Sequence, residues 1–174
     1  MRQGIALVLG GARSGKSRHA EAMVAASGLG SVYLATGAAG DGEMAERIAE
    51  HQARRGSGWR TREAPLALPE AIGEEAAPGR ALLVDCLTLW LSNLMLAGAD
   101  LEERSRMLLY RLQSAPGLVV LVSNEVGLGI VPDNALGRRF RDAQGRLNQA
   151  VAEIAGHVVF VAAGLPLVLK GSSA

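Results

Sequence analysis

The segment of residues 10–17, with the sequence GGARSGKS, directly follows an apolar run over residues 5–9. It matches the phosphate-binding pattern G-x-x-x-x-G-K-[ST] at every fixed position. Glycines let such a loop curve closely around a polyphosphate, so that its backbone N–H groups point at the oxygens. Lys16 would reach the β- and γ-phosphates, and the hydroxyl of Ser17 would help to hold Mg²⁺.

The helix that follows the loop would add the positive end of its dipole to an anion site. With a strand before it and a helix after it, the loop predicts a nucleoside triphosphate site; a glycine-rich loop without a nucleotide is the alternative. Lys16 is also a candidate catalytic residue. The candidate nucleotide contacts in the loop are Gly10, Gly11, Ala12, Arg13, Ser14, Gly15, Lys16 and Ser17.

Five apolar runs along the chain indicate strands, and helical stretches separate them. The predicted strands cover residues 5–9, 31–35, 81–85, 118–123 and 157–163. The predicted helices cover residues 16–26, 42–55, 87–96, 101–113 and 134–155. Most of the runs are continuously apolar, which is typical of strands buried on both faces. This alternation predicts an α/β fold, a mainly parallel sheet flanked by helices, in a single domain over residues 1–174.

Two polar or short segments interrupt this alternation. Residues 59–63 indicate an edge strand or a loop, because they are polar and lie between a glycine and a proline. Residues 165–170 indicate a final short strand, antiparallel or at an edge. Residues 73–79 indicate a loop.

Composition excludes several classes of function. The 174 residues are 49% hydrophobic, which supports a full core, while a net charge of +1 and 3% aromatic residues argue against a nucleic-acid partner. Cys86 is the single cysteine, so an intramolecular disulfide is impossible, and we expect a buried thiol. Residues 158–169 are too short and too interrupted to span a membrane, and residues 5–9 are too short for a signal peptide. We therefore expect no stable membrane insertion and a cytoplasmic protein.

Asp85 ends an apolar run, where a nucleotide-binding protein of this kind keeps a carboxylate that holds Mg²⁺ opposite the serine of the loop. Ligands of parallel sheets bind beyond the carboxyl ends of the strands, which selects this side chain. The same residue could instead cap the helix that begins at Leu87. The sequence favours Ser17 and Asp85 as the metal-binding pair.

His51 lies in the predicted helix over residues 42–55, in which Met44 and Ile48 form an apolar stripe, and Arg47 lies one turn before it. A nearby guanidinium and partial burial favour the neutral imidazole, which could attack phosphorus and form a phosphoramidate. A histidine at the edge of an apolar stripe is more often a packing residue. The spacing alone leaves both roles open.

Asn124 and Glu125 follow the fourth apolar run and precede a loop with Gly127, Gly129 and Pro132. They lie where a phosphate-binding-loop protein keeps a γ-phosphate sensor or a base that activates the acceptor. The alternative is a capped turn with Glu125 in solvent. The two interpretations stand equal at this point.

Six motifs in order resemble one known family. They are residues 10–21, residues 43–51, residues 59–63, residues 85–88 with 93–94, residues 124–132, and residues 140–142 with 145–149. Together they resemble the bifunctional adenosylcobinamide kinase/adenosylcobinamide-phosphate guanylyltransferase family of cobalamin biosynthesis. The resemblance extends from about residue 4 to residue 170. The segments NEVG and GRLNQ are far more specific than the loop motif.

The resemblance implies two reactions at one site. ATP or GTP phosphorylates the hydroxyl of the aminopropanol group of adenosylcobinamide, and GTP then gives GMP to that phosphate, which releases pyrophosphate. The guanylyl group passes through a histidine, whose position here is His51. The resemblance also implies a RecA-like fold with a phosphate-binding loop, and a homotrimer. Further nucleotide contacts that it implies are Thr36, Gly37, Gln52, Arg54, Arg55, Glu63 and Asp85; some members carry glutamate at the last position.

Overall fold

A computed structural model gives the structure of the chain, and it describes residues 4–37 and 58–171. The strands are β1 (Gly4–Gly10), β2 (Gly30–Ala35), β3 (Trp59–Glu63), β4 (Arg80–Asp85), β5 (Leu118–Asn124), β6 (His157–Ala162) and β7 (Leu165–Lys170). The helices are α1 (Lys16–Ser27), α2 (Leu68–Glu75), α3 (Leu87–Leu96), α4 (Leu101–Ser114) and α5 (Ala135–Ile154). The predicted helix over residues 42–55 lies outside the described residues.

All seven strands belong to one sheet, in the order β3-β2-β4-β5-β1-β6-β7. Every neighbouring pair is parallel except β6 and β7, which are antiparallel. The mainly parallel sheet is therefore confirmed. The polar segment 59–63 is an edge strand, and the final strand is antiparallel and lies at the other edge, both within the predicted alternatives.

Each face of the sheet has its own apolar core, because successive side chains of a strand point to opposite faces. Leu7 and Leu9 of β1 pack on the face that α2, α3, α4 and α5 cover. Ala6 and Val8 pack on the other face with α1. Parallel strands covered on both faces explain why β1 and β5 are apolar almost without interruption. The carboxyl ends of six strands thus meet at one edge of the sheet.

The prediction of a loop over residues 73–79 is wrong for residues 73–75, because α2 extends to Glu75. Leu68, Ala71 and Ile72 form the buried stripe of this helix. Gly73 suggested a break, but its missing side chain makes room for Arg111 of α4, whose Nε lies 3.4 Å from where a Cβ would be. Within the described residues, no helix combines the length and the apolar character needed to cross a membrane.

An ion cluster fixes the edge strand β3 to the rest of the sheet. The carboxylate of Glu75, only 3% exposed, lies 2.8 Å from Arg60, 3.3 Å from Arg62 and 3.5 Å from Arg80. Arg60 and Arg62 belong to β3, and Arg80 begins β4. A buried carboxylate is tolerated here because three guanidinium groups face it.

Glu75→Ala should lower the free energy of unfolding by about 2 kcal/mol, since it leaves three guanidinium groups crowded around a vacated site. The partial exposure of the arginines keeps the loss below that of a fully buried pair. Glu74→Ala is the control, because Glu74 is 64% exposed and forms an ion pair with Arg62 alone among the residues that the structure describes; we expect about 0.5 kcal/mol or less. Urea unfolding of the three proteins measures both values. Equal losses for the two variants would contradict this account of β3.

Candidate active site

The loop after β1 is shaped by close backbone contacts. A Cβ on Gly10 would lie 2.6 Å from the carbonyl oxygen of Val161 on β6, and 2.5 Å from the hydroxyl of Ser14. The loop then needs left-handed backbone at Arg13 (φ 55°) and at Gly15 (φ 96°), which is the residue before α1. Gly164, in the turn between β6 and β7, donates its N–H to the carbonyl of Ser14 at 2.8 Å. Only glycine fits at position 10, because a side chain there would collide with the carbonyl of Val161.

Lys16, at the start of α1, folds back over this loop. Its Nζ donates a hydrogen bond to the carbonyl oxygen of Gly11 at 3.0 Å. Burial lowers the pKa of Lys16, while the charges of Cys86 and Asp85 oppose that lowering. The ammonium group is thus held on the backbone of the loop, and charges at the end of β4 act on it.

The acidic and amide side chains at the ends of the strands share one face of the sheet. Alternation along the strands puts Asp85 of β4, Asn124 of β5 and Glu63 of β3 on the face that α1 covers. Asp85 is two strands away from β1, which is about 10 Å, and Glu63 is four strands away, which is about 19 Å. Asp85 is thus within range of a triphosphate in the loop, and Glu63 is not.

Thr36 is fully buried and fixes the turn after β4. Its hydroxyl donates to the carbonyl of Cys86 and accepts from the N–H of Cys86, both at 2.7 Å. Its backbone N–H donates to the carbonyl of Asp85 at 3.3 Å. Asn93 of α3 in turn donates to the carbonyl of Thr36 at 2.8 Å. The side chain thus holds Asp85 in place, while its predicted nucleotide contact, and that of the half-buried Gly37, stay predictions.

The oxygen donors near the loop suit Mg²⁺, which prefers hydroxyl, carboxylate and phosphate oxygens. Ser17 and Asp85 supply two such groups. Among the residues that the structure describes, no group of three or more His, Cys, Asp or Glu side chains could hold a metal ion. Two oxygen groups from the chain would leave coordination positions for phosphate oxygens, which fits the way Mg²⁺ is held in nucleotide sites.

The end of β5 lies beside the start of the loop. Gly10 pairs with Asn124 in the register of β1 and β5, and the N–H of Glu125 donates to the carbonyl of Gly10 at 3.2 Å. Glu125 is half-buried rather than in solvent, and it makes no side-chain capping bond to the short 3-10 turn that follows it. Its carboxylate accepts a hydrogen bond from Asn148 of α5 instead. The capped-turn interpretation is therefore wrong.

The structure brings residues 10–17 of the loop together with Asp85 at one edge of the sheet. His51, Gln52, Arg54 and Arg55 lie outside the described residues, so their predicted roles stay predictions. Four buried polar residues to which the sequence motifs gave no role lie under the end of β5, namely Thr88, Ser123, Gln144 and Asn148. The signal was available, because Gln144 and Asn148 are amides four residues apart on the apolar stripe of α5.

Comparisons with known proteins agree with these features. A family model described as cobinamide kinase / cobinamide phosphate guanyltransferase matches residues 6–169. The bifunctional adenosylcobalamin biosynthesis protein CobP of Pseudomonas aeruginosa is 56% identical over 167 residues, which cover 95% of this chain and 96% of that protein. The bifunctional adenosylcobalamin biosynthesis protein CobU of Salmonella typhimurium is 41% identical over 179 residues, which cover 94% and 98%.

Among solved structures, the flagellar accessory protein FlaH from Methanocaldococcus jannaschii is similar to this chain. The TM-score is 0.55 at 9% sequence identity, over 97% of this chain and 79% of that one. A likeness at this identity concerns the fold alone. The predicted α/β fold, a RecA-like sheet with a phosphate-binding loop, is confirmed.

Gly10→Ala should weaken nucleotide binding about tenfold or more, because the added methyl group collides with the carbonyl of Val161 and displaces the loop. Gly11→Ala adds the same group where nothing lies within 4 Å, so it should retain most of the affinity. Calorimetric titration with a non-hydrolysable GTP analogue and Mg²⁺ measures both. Equal affinities would show that the close approach at Gly10 does not shape the site.

Cys86 should be almost unreactive in the folded protein. Burial, reinforced by the charge of Asp85, raises the pKa of its thiol to about 11. About one molecule in a thousand then carries the reactive thiolate at pH 8, and the fraction rises only as the pH approaches that pKa. Alkylation at pH 8 should be about a hundredfold slower for the folded than for the denatured protein. Rapid labelling of the folded chain would contradict the buried position.

Proposed function

This chain belongs to the cobinamide kinase / cobinamide phosphate guanyltransferase family, and from that premise we propose how its residues perform two transfers. First, the hydroxyl oxygen of adenosylcobinamide attacks the γ-phosphorus of ATP or GTP, and the nucleoside diphosphate leaves. Second, the guanylyl group of GTP is transferred to His51 and from there to the new phosphate, which gives adenosyl-GDP-cobinamide. The family supports a kinase and guanylyltransferase; the order, the nucleotides and the histidine are the proposal.

The observation that carries the kinase half is the loop at the end of β1. Phosphoryl transfer needs little covalent chemistry from the protein and depends on positioning and on compensating negative charge. The backbone of residues 10–15 and the start of α1 would hold the β- and γ-phosphates. Lys16 would give up its hydrogen bond of 3.0 Å to the carbonyl of Gly11 and bind the phosphates instead. Its ammonium group would then stabilise the negative charge that develops on the leaving oxygen.

Ser17 and Asp85 would hold Mg²⁺ together with phosphate oxygens. That ion, when bound, supplies positive charge against the triphosphate. Thr36 contributes indirectly, because its hydroxyl fixes the turn that follows Asp85. The carboxylate is thereby oriented before a nucleotide arrives, which avoids the cost of ordering it during the reaction.

The guanylyltransferase half requires a nucleophile for the α-phosphorus. In the proposed step a ring nitrogen of His51 forms a bond to that phosphorus, and the bond to the bridging oxygen breaks, which releases pyrophosphate. An oxygen of cobinamide phosphate then attacks the same phosphorus and frees the imidazole. Gln52, Arg54 and Arg55 are proposed to bind the phosphates in this arrangement.

The other two histidines of the chain are weaker candidates. His157 is 8% exposed and begins β6, at the end of that strand away from the loop. His19 lies in the first turn of α1, and burial, with a smaller contribution from His157, lowers its pKa. A lowered pKa favours the neutral, nucleophilic ring, so His19 is the competitor that an experiment must separate from His51.

Glu63 is proposed to contact the nucleoside end of a bound nucleotide. It lies about 19 Å from β1 across the sheet, which is longer than a triphosphate chain. Its carboxylate is exposed and faces the same side as α1. A carboxylate there could accept hydrogen bonds from the donors of a guanine base.

GTP labelled at the α-phosphate should leave label on the wild-type protein that is stable in alkali and labile in acid, as a phosphoramidate is. His51→Asn should abolish this label and retain kinase activity, because the γ-phosphate reaction does not use that ring. His19→Asn should keep the label. Autoradiography after denaturing electrophoresis measures it, and mass spectrometry of peptides locates it.

Three results would contradict the proposal. Label that survives His51→Asn and disappears in His19→Asn would move the intermediate to α1. A wild-type protein with kinase activity and without label would be a small-molecule kinase that lacks the guanylyl step. A wild-type protein that neither phosphorylates cobinamide nor takes up label would end the proposal in both halves.

A further inference from the structure

A buried polar network lies beneath the end of β5, and the function proposed above does not use it. Ser123 and Gln144 are fully buried, and Asn148 is 5% exposed. Burial of three polar side chains lowers the stability of the fold unless each forms hydrogen bonds. Apolar side chains at these positions would avoid that loss of free energy. The network includes the asparagine of the motif GRLNQ, which the sequence analysis singled out without a role.

Asn148 contacts three consecutive residues at the end of β5. Its Oδ1 accepts from the hydroxyl of Ser123 at 2.7 Å, and its Nδ2 donates to the carbonyl of Asn124 at 3.1 Å and to Oε2 of Glu125 at 3.3 Å. Its Oδ1 also accepts from Nε2 of Gln144 at 2.9 Å. A primary amide has two donors and two acceptor positions, so this one is fully used and cannot rotate without losing bonds.

The peptide groups of Asn124 are held from two helices at once. Thr88 of α3 accepts the N–H of Asn124 at 2.8 Å, and Asn148 of α5 donates to its carbonyl. The side chain of Asn124 lies on the face of α1, as alternation along β5 requires. Its Oδ1 is buried without a hydrogen-bond partner among the described residues. An orphaned acceptor next to the phosphate-binding loop is the kind of group that a bound ligand satisfies.

Glu125 lies between this network and the loop. Its N–H is bonded to the carbonyl of Gly10, and one carboxylate oxygen is bonded to Asn148. Its other oxygen, Oε1, accepts no hydrogen bond from the described part of the chain. A half-buried carboxylate that is fixed through one oxygen and free at the other is suited to accept a proton.

We propose that Asn148 is a positioning residue for the kinase step and acts through Glu125, an inference that rests on the proposed function. Oε1 of Glu125 accepts the proton of the acceptor hydroxyl while the hydroxyl oxygen forms its bond to the γ-phosphorus. The bond between that phosphorus and the bridging oxygen breaks, and the nucleoside diphosphate leaves with the electron pair. Asn148 keeps the carboxylate in line and takes no part in the bond changes.

A pair of substitutions that exchanges the two groups separates positioning from stability. Asn148→Asp keeps the acceptor for Ser123 and Gln144 but places a second negative oxygen beside Glu125. Glu125→Gln removes the base and keeps the shape. In the double variant, the new amide at position 125 can donate to the new carboxylate at position 148, so that this hydrogen bond forms again in the opposite direction, while the bond to the carbonyl of Asn124 stays lost.

We expect Glu125→Gln to lower kcat of cobinamide phosphorylation about a hundredfold, as loss of a general base does, with nucleotide affinity almost unchanged. Asn148→Asp should lower kcat about tenfold or more through misplacement of the base, and should also lower Tm. The double variant should recover part of the lost Tm, because the bond to the carbonyl of Asn124 stays broken, and it should remain as slow as Glu125→Gln alone. All three should still take up label from α-labelled GTP, because that reaction does not use Glu125.

Gln149→Glu is the control, since it makes the same kind of change at the next, exposed position of α5 and should leave kcat and Tm unchanged. Full kinase activity in Glu125→Gln, or recovery of kcat together with Tm in the double variant, would overturn the inference and make the network purely structural. Loss of both kinase activity and label in Asn148→Asp would do the same. A wild-type protein that does not phosphorylate cobinamide would instead overturn the proposed function, and this inference with it.

Discussion

The close approach of two backbone segments at Gly10 is the constraint on which the rest of the site depends. The loop leaves β1 where a single methyl group would collide with the carbonyl of Val161. The carbonyl of Gly10 also accepts the N–H of Glu125, and Gly10 pairs with Asn124 in the register of β1 and β5. Because β1 lies between β5 and β6, the loop, the end of β5 and the turn after β6 are fixed relative to one another. A phosphate site and a candidate base are thereby held together by main-chain contacts.

Buried side chains then orient the groups that face a ligand. Thr36 holds the turn after Asp85, and Asn148 with Thr88 holds the peptide groups of Asn124. Each of these bonds is modest in energy, about 1 kcal/mol, yet each fixes a direction. Polar groups that are oriented before binding need no reorganisation during the reaction, which is how an enzyme lowers a barrier through electrostatics. In the mechanism proposed above, helices α3 and α5 thus help to orient groups at the ligand end of the sheet.

The sequence predicted the features that depend on local pattern. The loop motif, the buried parallel strands and the carboxylate at the end of β4 each follow from a few neighbouring residues. The end of α2 was missed because Gly73 suggests a break, and the reason for a glycine there, the side chain of Arg111, is distant in sequence. The contacts of Asn148 at the end of β5 were missed because those partners are more than twenty residues away, although its other partner, Gln144, lies one turn before it on α5. The homotrimer and the cytoplasmic location stay predictions.

A crystal structure with a non-hydrolysable GTP analogue and Mg²⁺ tests the central claim most directly. The account predicts that the triphosphate lies in the curve of residues 10–17 and that Nζ of Lys16 has exchanged the carbonyl of Gly11 for phosphate oxygens. It also predicts oxygen ligands from Ser17 and Asp85 around the ion. A nucleotide bound elsewhere, with Lys16 still bonded to Gly11, would contradict it.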